Sequence, residues 1–385
     1  MSDLPMTDAA ELTRALIRCP SVTPDEGGAL TLLQGLLGEA GFDCTRVDRN
    51  GTPNLFARWG AKGAALSFGF NGHTDVVPPG NPDSWTHPPF SGHLDQDGMI
   101  WGRGATDMKS GVAAFVAAAI DFVTRTPPEG AVILTITGDE EGPARDGTRA
   151  ILDWMDSEGE RMSVCLVGEP SNPETFGEMI KIGRRGSVTY RVMARGVQGH
   201  VAYPHRTRNP LHALIRLLDD LTATPLDQGS AHFDPSGLQA TTVDCGNTAT
   251  NVVPETATAV FNIRFNDLHD PDSLDAMLRG RAQAITEATG VTLDLDASVT
   301  GDSFLTAPGP LVDLVAGVVE AETGLRPVLS TTGGTSDARF VKDHCPVVEF
   351  GLVGRFMHEV DERVPADQIR ALQRVYHRIL QGYFA

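Results

Sequence analysis

The sequence predicts an α/β protein: a mixed, largely parallel sheet flanked by helices, interrupted by a smaller inserted α+β domain of ferredoxin-like order. Three observations carry this expectation. Acidic and imidazole groups fall just past the carboxyl ends of apolar strands, at His73, at Glu140 and Glu141, at Glu169 and, far downstream, at His358; open α/β sheets build their sites there. Residues 131–137 form a continuous run rich in β-branched residues, as a strand buried on both faces requires. Between 184 and 299 the texture changes to strand, helix, strand, strand, helix, strand, the order of an antiparallel α+β module. With 385 residues, the chain exceeds what one core usually supports. The expected division is a first domain in two segments, 1–182 and 299–385, with the insert at 183–298.

Taken in order, residues 7–18 read as an amphipathic helix with Leu12, Ala15 and Leu16 on one stripe. Pro20, Pro24, Gly27 and Gly28 mark a loop, and a second helix spans 29–39, closed by Gly41. Residues 42–47 and 54–59 read as strands, followed by the apolar run 64–70 that delivers His73 and Asp75. The Pro-rich stretch 78–90 predicts a loop. Asp107 then stands directly before an alanine-rich helix at 111–123. The strand 131–137 ends in Gly-Asp-Glu-Glu-Gly-Pro, where Gly138, Gly142 and Pro143 permit a bend, so Glu140 and Glu141 can approach one cavity in different roles. Residues 164–167 and 346–351 are further strands, ending at Glu169 and leading to His358. In the insert, 187–194, 238–245, 255–265 and 291–297 read as strands and 210–221 and 272–288 as helices. A helix at 309–323 resumes the first domain.

The formal net charge of −19 argues against nucleic-acid or anionic-membrane partners, which need basic stripes. No apolar run reaches spanning length and no signal-peptide pattern opens the chain, so a cytoplasmic protein is expected. Cys19, Cys44, Cys165, Cys245 and Cys345 are scattered and never form a Cys-x-x-Cys pair, which suits free thiols in a reducing compartment.

His73 and Asp75, two residues apart in extended chain, share a face. Such a pair suits a metal ligand whose second ring nitrogen is held by a carboxylate. His73, Asp107, Glu141, Glu169 and His358 form a nitrogen and oxygen set that zinc accepts. Five ligands are too many for one tetrahedral ion with an open position. They suffice for two ions roughly 3.5 to 4 Å apart if one carboxylate bridges them, and a leftover carboxylate then becomes the base that deprotonates water.

The motifs at 72–78 (Gly-His-Thr-Asp-Val-Val-Pro), 102–111 (Gly-Arg-Gly-Ala-Thr-Asp-Met-Lys-Ser-Gly), 139–142 (Asp-Glu-Glu-Gly) and 168–170 (Gly-Glu-Pro) stand in this order. Together they resemble the dinuclear zinc amidohydrolases and exopeptidases of the M20 metallopeptidase group, and the likeness spans nearly the whole chain. The resemblance implies a zinc-exopeptidase-like catalytic domain whose insert serves as lid and dimerisation domain, and hence a homodimer. It implies two zinc ions per subunit, with cobalt able to substitute at one. His73 and Glu169 would hold one ion and Glu141 and His358 the other, with Asp107 bridging. Asp75 would orient His73, Glu140 would be the general acid and base, and a cis peptide would follow Asp107. Glycine at 138 and alanine at 338 depart from the commoner serine and glycine, and neither is an assigned ligand.

A second set of motifs, at 181–187, 199–205, 251–254, 333–337 and 357–359, narrows the resemblance towards members acting on small anionic N-acylated amino acids. It implies substrate contacts from Arg184, Tyr203, Asn251, Arg264, Gly333, Gly334 and Thr335. It further implies that His200 reaches the scissile carbonyl oxygen from a partner subunit. An N-acetylornithine deacetylase, an aminoacylase or a dipeptidase is the alternative within the group. A catalytically dead metal-binding relative is disfavoured by the intact Glu140 and ligands, and a nucleotide-binding fold by the missing phosphate loop.

Overall fold

The computed structural model describes residues 8–334 and 336–385; Thr335 lies outside the described residues. The chain forms two units. One comprises the chain up to Ile182 together with Thr306–Ser330 and Ser336–Ala385, and the other Gly183–Leu305 with the short return beginning at Thr331. Among the described residues, no helix is long and apolar enough to cross a membrane.

The first unit is built on an eight-stranded mixed sheet. Its spatial order is Asp43–Arg46, Asn54–Trp59, Ala131–Thr137, Ser67–His73, Val164–Val167, Val347–Glu349, Met179–Lys181 and Val328–Ser330. Four of its seven pairings are parallel, and they include the central ones. Ser67–His73 and Ala131–Thr137 are buried along their whole length, the environment that selects their continuous apolar runs. Three parallel neighbours, Ala131–Thr137, Ser67–His73 and Val164–Val167, therefore end side by side. Their register sets His73 opposite Thr137 and Asn71 opposite Val167.

The alanine-rich helix runs Lys109–Arg125, longer at both ends than expected, and is buried over most of its length. Phe115 stacks on Phe70 at 4.2 Å between ring centroids and meets Tyr376 at 5.6 Å. Each such fully buried ring contributes roughly 1.5–3 kcal/mol by leaving water. Tyr376 belongs to the terminal helix Ala366–Tyr383, which the sequence reading passed over although Ile369, Leu372, Tyr376 and Ile379 mark its buried stripe. Thr148–Glu158 is a second unanticipated helix. The Pro-rich stretch 78–90 holds one 3-10 turn, Pro82–Ser84.

The second unit is a four-stranded antiparallel sheet in the order Gly237–Asp244, Thr256–Phe265, Gly186–Arg195 and Thr292–Gly301. Helices Pro210–Thr222 and Pro271–Thr289 cover one face around Tyr190, Leu214, Leu217, Phe261 and Leu278. Strict alternation of burial along Thr256–Phe265 is what a one-face-buried strand dictates. The unit extends to Leu305, beyond the expected 298, because Phe304–Leu305 returns to pair with Gly183–Arg184.

Candidate metal centre

All but one of the ligand candidates of the first unit follow a strand end. His73 closes Ser67–His73, Glu140 and Glu141 follow Ala131–Thr137, and Glu169 follows Val164–Val167. Asp107 precedes the helix Lys109–Arg125, and His358 follows Val347–Glu349. Two glycines permit the close approach of these segments. A side chain at 111 would collide with the Gly168 carbonyl, and one at 351 with the Glu169 carbonyl. The peptide Asp107–Met108 is cis.

These side chains meet in two groups, His73 with Asp107 and Glu169, and Asp107 with Glu141 and His358, each with ligand atoms within 4.8 Å of one another. His73 Nε2 lies 3.2 Å from Asp107 Oδ1, 3.5 Å from Glu169 Oε1 and 3.9 Å from Glu140 Oε2. His358 Nε2 lies 2.8 Å from Glu141 Oε1 and 3.3 Å from Asp107 Oδ2. The two oxygens of Asp107 thus face different histidines. Ligands about 2.05 Å from a tetrahedral zinc stand about 3.4 Å apart, close to most of these separations. The donor set and spacing fit a pair of ions that share Asp107.

The protonation logic agrees. His73 Nδ1 is 2.9 Å from the Asp75 carbonyl oxygen, which assigns the ring proton to Nδ1 and turns the Nε2 lone pair toward carboxylate oxygens. Acceptors facing acceptors require a proton or a cation between them. Burial opposes charge on His73, but Asp107 and Glu169 outweigh it and hold its proton affinity well above the ordinary value. Asp107 and Glu141 push His358 up to about 10. Burial and then the Glu169 carboxylate hold Glu140 well above the usual carboxylate range. This is a cluster short of positive charge, which is what divalent ions supply.

Asp75 departs from the sequence expectation in detail. Its main-chain carbonyl is the close partner of His73, while its carboxylate Oδ1 is 3.6 Å from Nδ1. The carboxylate instead accepts from the N–H groups of Glu140 at 3.2 Å and Glu141 at 3.1 Å and from the Thr23 hydroxyl at 2.8 Å. Burial pushes Asp75 up to about 6, against the pull of His73 and these donors. One residue therefore fixes the His73 ring through its backbone and the Glu140–Glu141 turn through its side chain.

The model of peptidase family M20/M25/M40 matches residues 69–382. The chain belongs to that family. It is 72% identical over 382 residues to the succinyl-diaminopimelate desuccinylase of Paracoccus denitrificans (strain Pd 1222), covering 99% of this chain and 100% of the relative. It is 65% identical over 378 residues to the succinyl-diaminopimelate desuccinylase of Cereibacter sphaeroides (strain ATCC 17029), covering 98% and 99%. The fold matches that of a dinuclear metal-binding peptidase of the M20 family from Bacillus subtilis, at a TM-score of 0.73 and 16% identity over 99% of both chains.

The second unit of this M20 chain carries the other candidates. His200 pairs with Val252 on a short two-stranded ladder, and its ring stands 5.8 Å from that of Tyr203. His200 Nδ1 accepts from the Ala202 N–H at 3.1 Å, which leaves the proton on exposed Nε2, ready to donate. The Asn251 carbonyl accepts from the Val201 N–H at 3.1 Å. Buried Arg184 donates to the Gly334 carbonyl, and Gly333 takes the left-handed backbone, φ 103°. Burial and the neighbouring Arg185 cation lower the pKa of Arg264. The sequence reading missed Thr23, Arg103 and Glu362. Only their contacts with chain distant in sequence mark them out.

Proposed function

We propose that the chain hydrolyses the amide of N-succinyl-LL-2,6-diaminoheptanedioate to succinate and LL-2,6-diaminoheptanedioate, a step toward lysine and meso-diaminopimelate, at two zinc ions. What supports the hydrolytic centre above all is that Asp107 turns one oxygen to His73 and the other to His358. What supports the substrate is full-length identity of 72% to a desuccinylase.

His73 and Glu169 would hold one ion and Glu141 and His358 the other, with Asp107 serving both; cobalt could replace zinc at one of them. Ions bound there would supply Lewis acidity, lowering the pKa of water toward about 7 and polarising the amide carbonyl. Glu140, buried and held above the usual carboxylate range, takes the proton of the attacking water and passes it to the departing amine. Asp75 keeps His73 oriented and the Glu140–Glu141 turn fixed. His200, contributed across a homodimer formed through the inserted unit, donates to the developing oxyanion. Arg184, Tyr203, Asn251, Arg264, Gly333, Gly334 and Thr335 bind the substrate carboxylates. A biosynthetic hydrolase with five free thiols suits the cytoplasm.

The test is turnover by the zinc-loaded protein of N-succinyl-LL-diaminopimelate beside N-acetylornithine and simple dipeptides. The expected preference in kcat/KM for the succinyl compound is at least about 10²-fold, the discrimination that pocket contacts alone commonly supply. A better rate on N-acetylornithine would overturn the substrate assignment, and no hydrolysis of any of them would overturn the centre.

A further inference from the structure

Beneath the candidate ligands lies a buried ion pair to which neither the catalytic nor the ligand roles give a purpose. Arg103 Nη1 meets Glu362 Oε2 at 2.7 Å with both side chains almost wholly out of water. Glu362 is saturated by the loop that carries Asp107. Oε1 accepts the N–H groups of Thr106 at 2.7 Å and Asp107 at 3.1 Å, and Oε2 also accepts that of Gly104 at 3.1 Å. The Glu362 carbonyl accepts from Gly102 N–H at 2.9 Å.

Arg103 faces the other way. Its Nη1 donates to the Glu359 carbonyl at 3.1 Å and its Nη2 to that of His358 at 3.3 Å, while Trp85 covers the guanidinium at 5.2 Å. His358 sits at φ 65° and Asp361 at φ 64°, left-handed conformations that non-glycine residues keep only where surrounding contacts impose them. The segment bearing His358 is thus tied through one guanidinium to the carboxylate that gathers the Asp107 loop.

We propose that Arg103 and Glu362 are positioning residues that set the spacing of Asp107 and His358, and thereby the affinity of the ion those two share with Glu141. The inference rests on the two-ion reading above. Arg103 makes these contacts to the His358 side of the centre, so its loss is felt unequally by the two ions. Glu362 holds Asp107, which both ions share, so its loss is felt by both.

The test dialyses the chain and its variants against buffers of graded free zinc and measures bound metal per chain. Arg103→Lys keeps the charge opposite Glu362 but cannot reach the carboxylate and both carbonyls at once. One of its two zinc affinities is expected to fall about 10–100-fold, the usual cost of losing a residue that orients a ligand, while the other stays within about threefold. Its kcat returns at saturating zinc, which a general folding defect would not allow. Glu362→Gln, the second variant should Arg103→Lys not fold, is expected to weaken both ions. Arg103→Lys with both affinities unchanged or equally reduced, or Glu362→Gln with both unchanged, overturns the proposal. Wild-type protein binding fewer than two zinc ions overturns the two-ion reading and this inference with it.

Discussion

The Thr23 hydroxyl donates a 2.8 Å hydrogen bond to Oδ2 of Asp75 across 52 residues of sequence. Thr23 is itself anchored, its N–H to the Val76 carbonyl at 3.2 Å, so the bond joins the loop after the first helix to the strand end that carries His73. Removing the donor leaves a buried carboxylate one partner short, at a cost of about 1–3 kcal/mol. Thr23→Val is expected to lose that much stability to urea in the zinc-loaded protein, and Thr23→Ser to recover most of it. Equal stability of the Val and Ser variants would show that the bond carries no weight.

Glu140 faces His73 at 3.9 Å, the longest of the His73 Nε2 contacts to carboxylates, as befits a group that works beside the ions rather than on them. Glu140→Gln keeps the shape and removes the base. Turnover should fall by about 10²–10⁴-fold with two zinc ions still bound per chain. A variant with normal kcat would assign the proton transfer elsewhere, and one that loses metal would make Glu140 a ligand.

His200 offers Nε2–H because Nδ1 is engaged by the Ala202 N–H. A donor that meets charge only as it develops stabilises the transition state more than the bound substrate. His200→Ala should therefore depress kcat far more than it raises KM. The reverse split would make His200 a binding residue.

How much of this was legible in the sequence depended on range. Strand ends announce themselves, since apolar runs of four to seven residues stop at glycine, proline and charge, and so His73, Glu140, Glu141 and Glu169 were placed by pattern alone. His358 was placed by the same pattern, although eight residues separate it from Val347–Glu349. The strands Met179–Lys181 and Val328–Ser330 are three residues each, too short for a period to register. Thr23 and Glu362 carried no local mark, and Arg103 stood within the 102–111 motif without a role to read from it, because their partners lie tens to hundreds of residues away. The Asp75 carboxylate was assigned to the ring by its two-residue spacing. The chain turns after His73, and the nearby N–H groups of Glu140 and Glu141 take the carboxylate instead.

Stripped of metal, the centre must hold protons where the ions would sit. His358 then titrates near 10 and His73 well above its ordinary value, both because carboxylates surround the rings. Below those values each ring that binds zinc must first give up its proton, so zinc affinity should rise with pH between about 6 and 8, by about tenfold per unit for each proton displaced. Calorimetry in buffers of different ionisation enthalpy would count those protons, and a flat or falling affinity would mean that the rings are already neutral. Because ions bind the folded chain alone, chelation should also lower its stability, by about 4 kcal/mol where free zinc stood at 1,000 times the dissociation constant. A melting temperature indifferent to chelator would show that these ligands, however close, hold no ion.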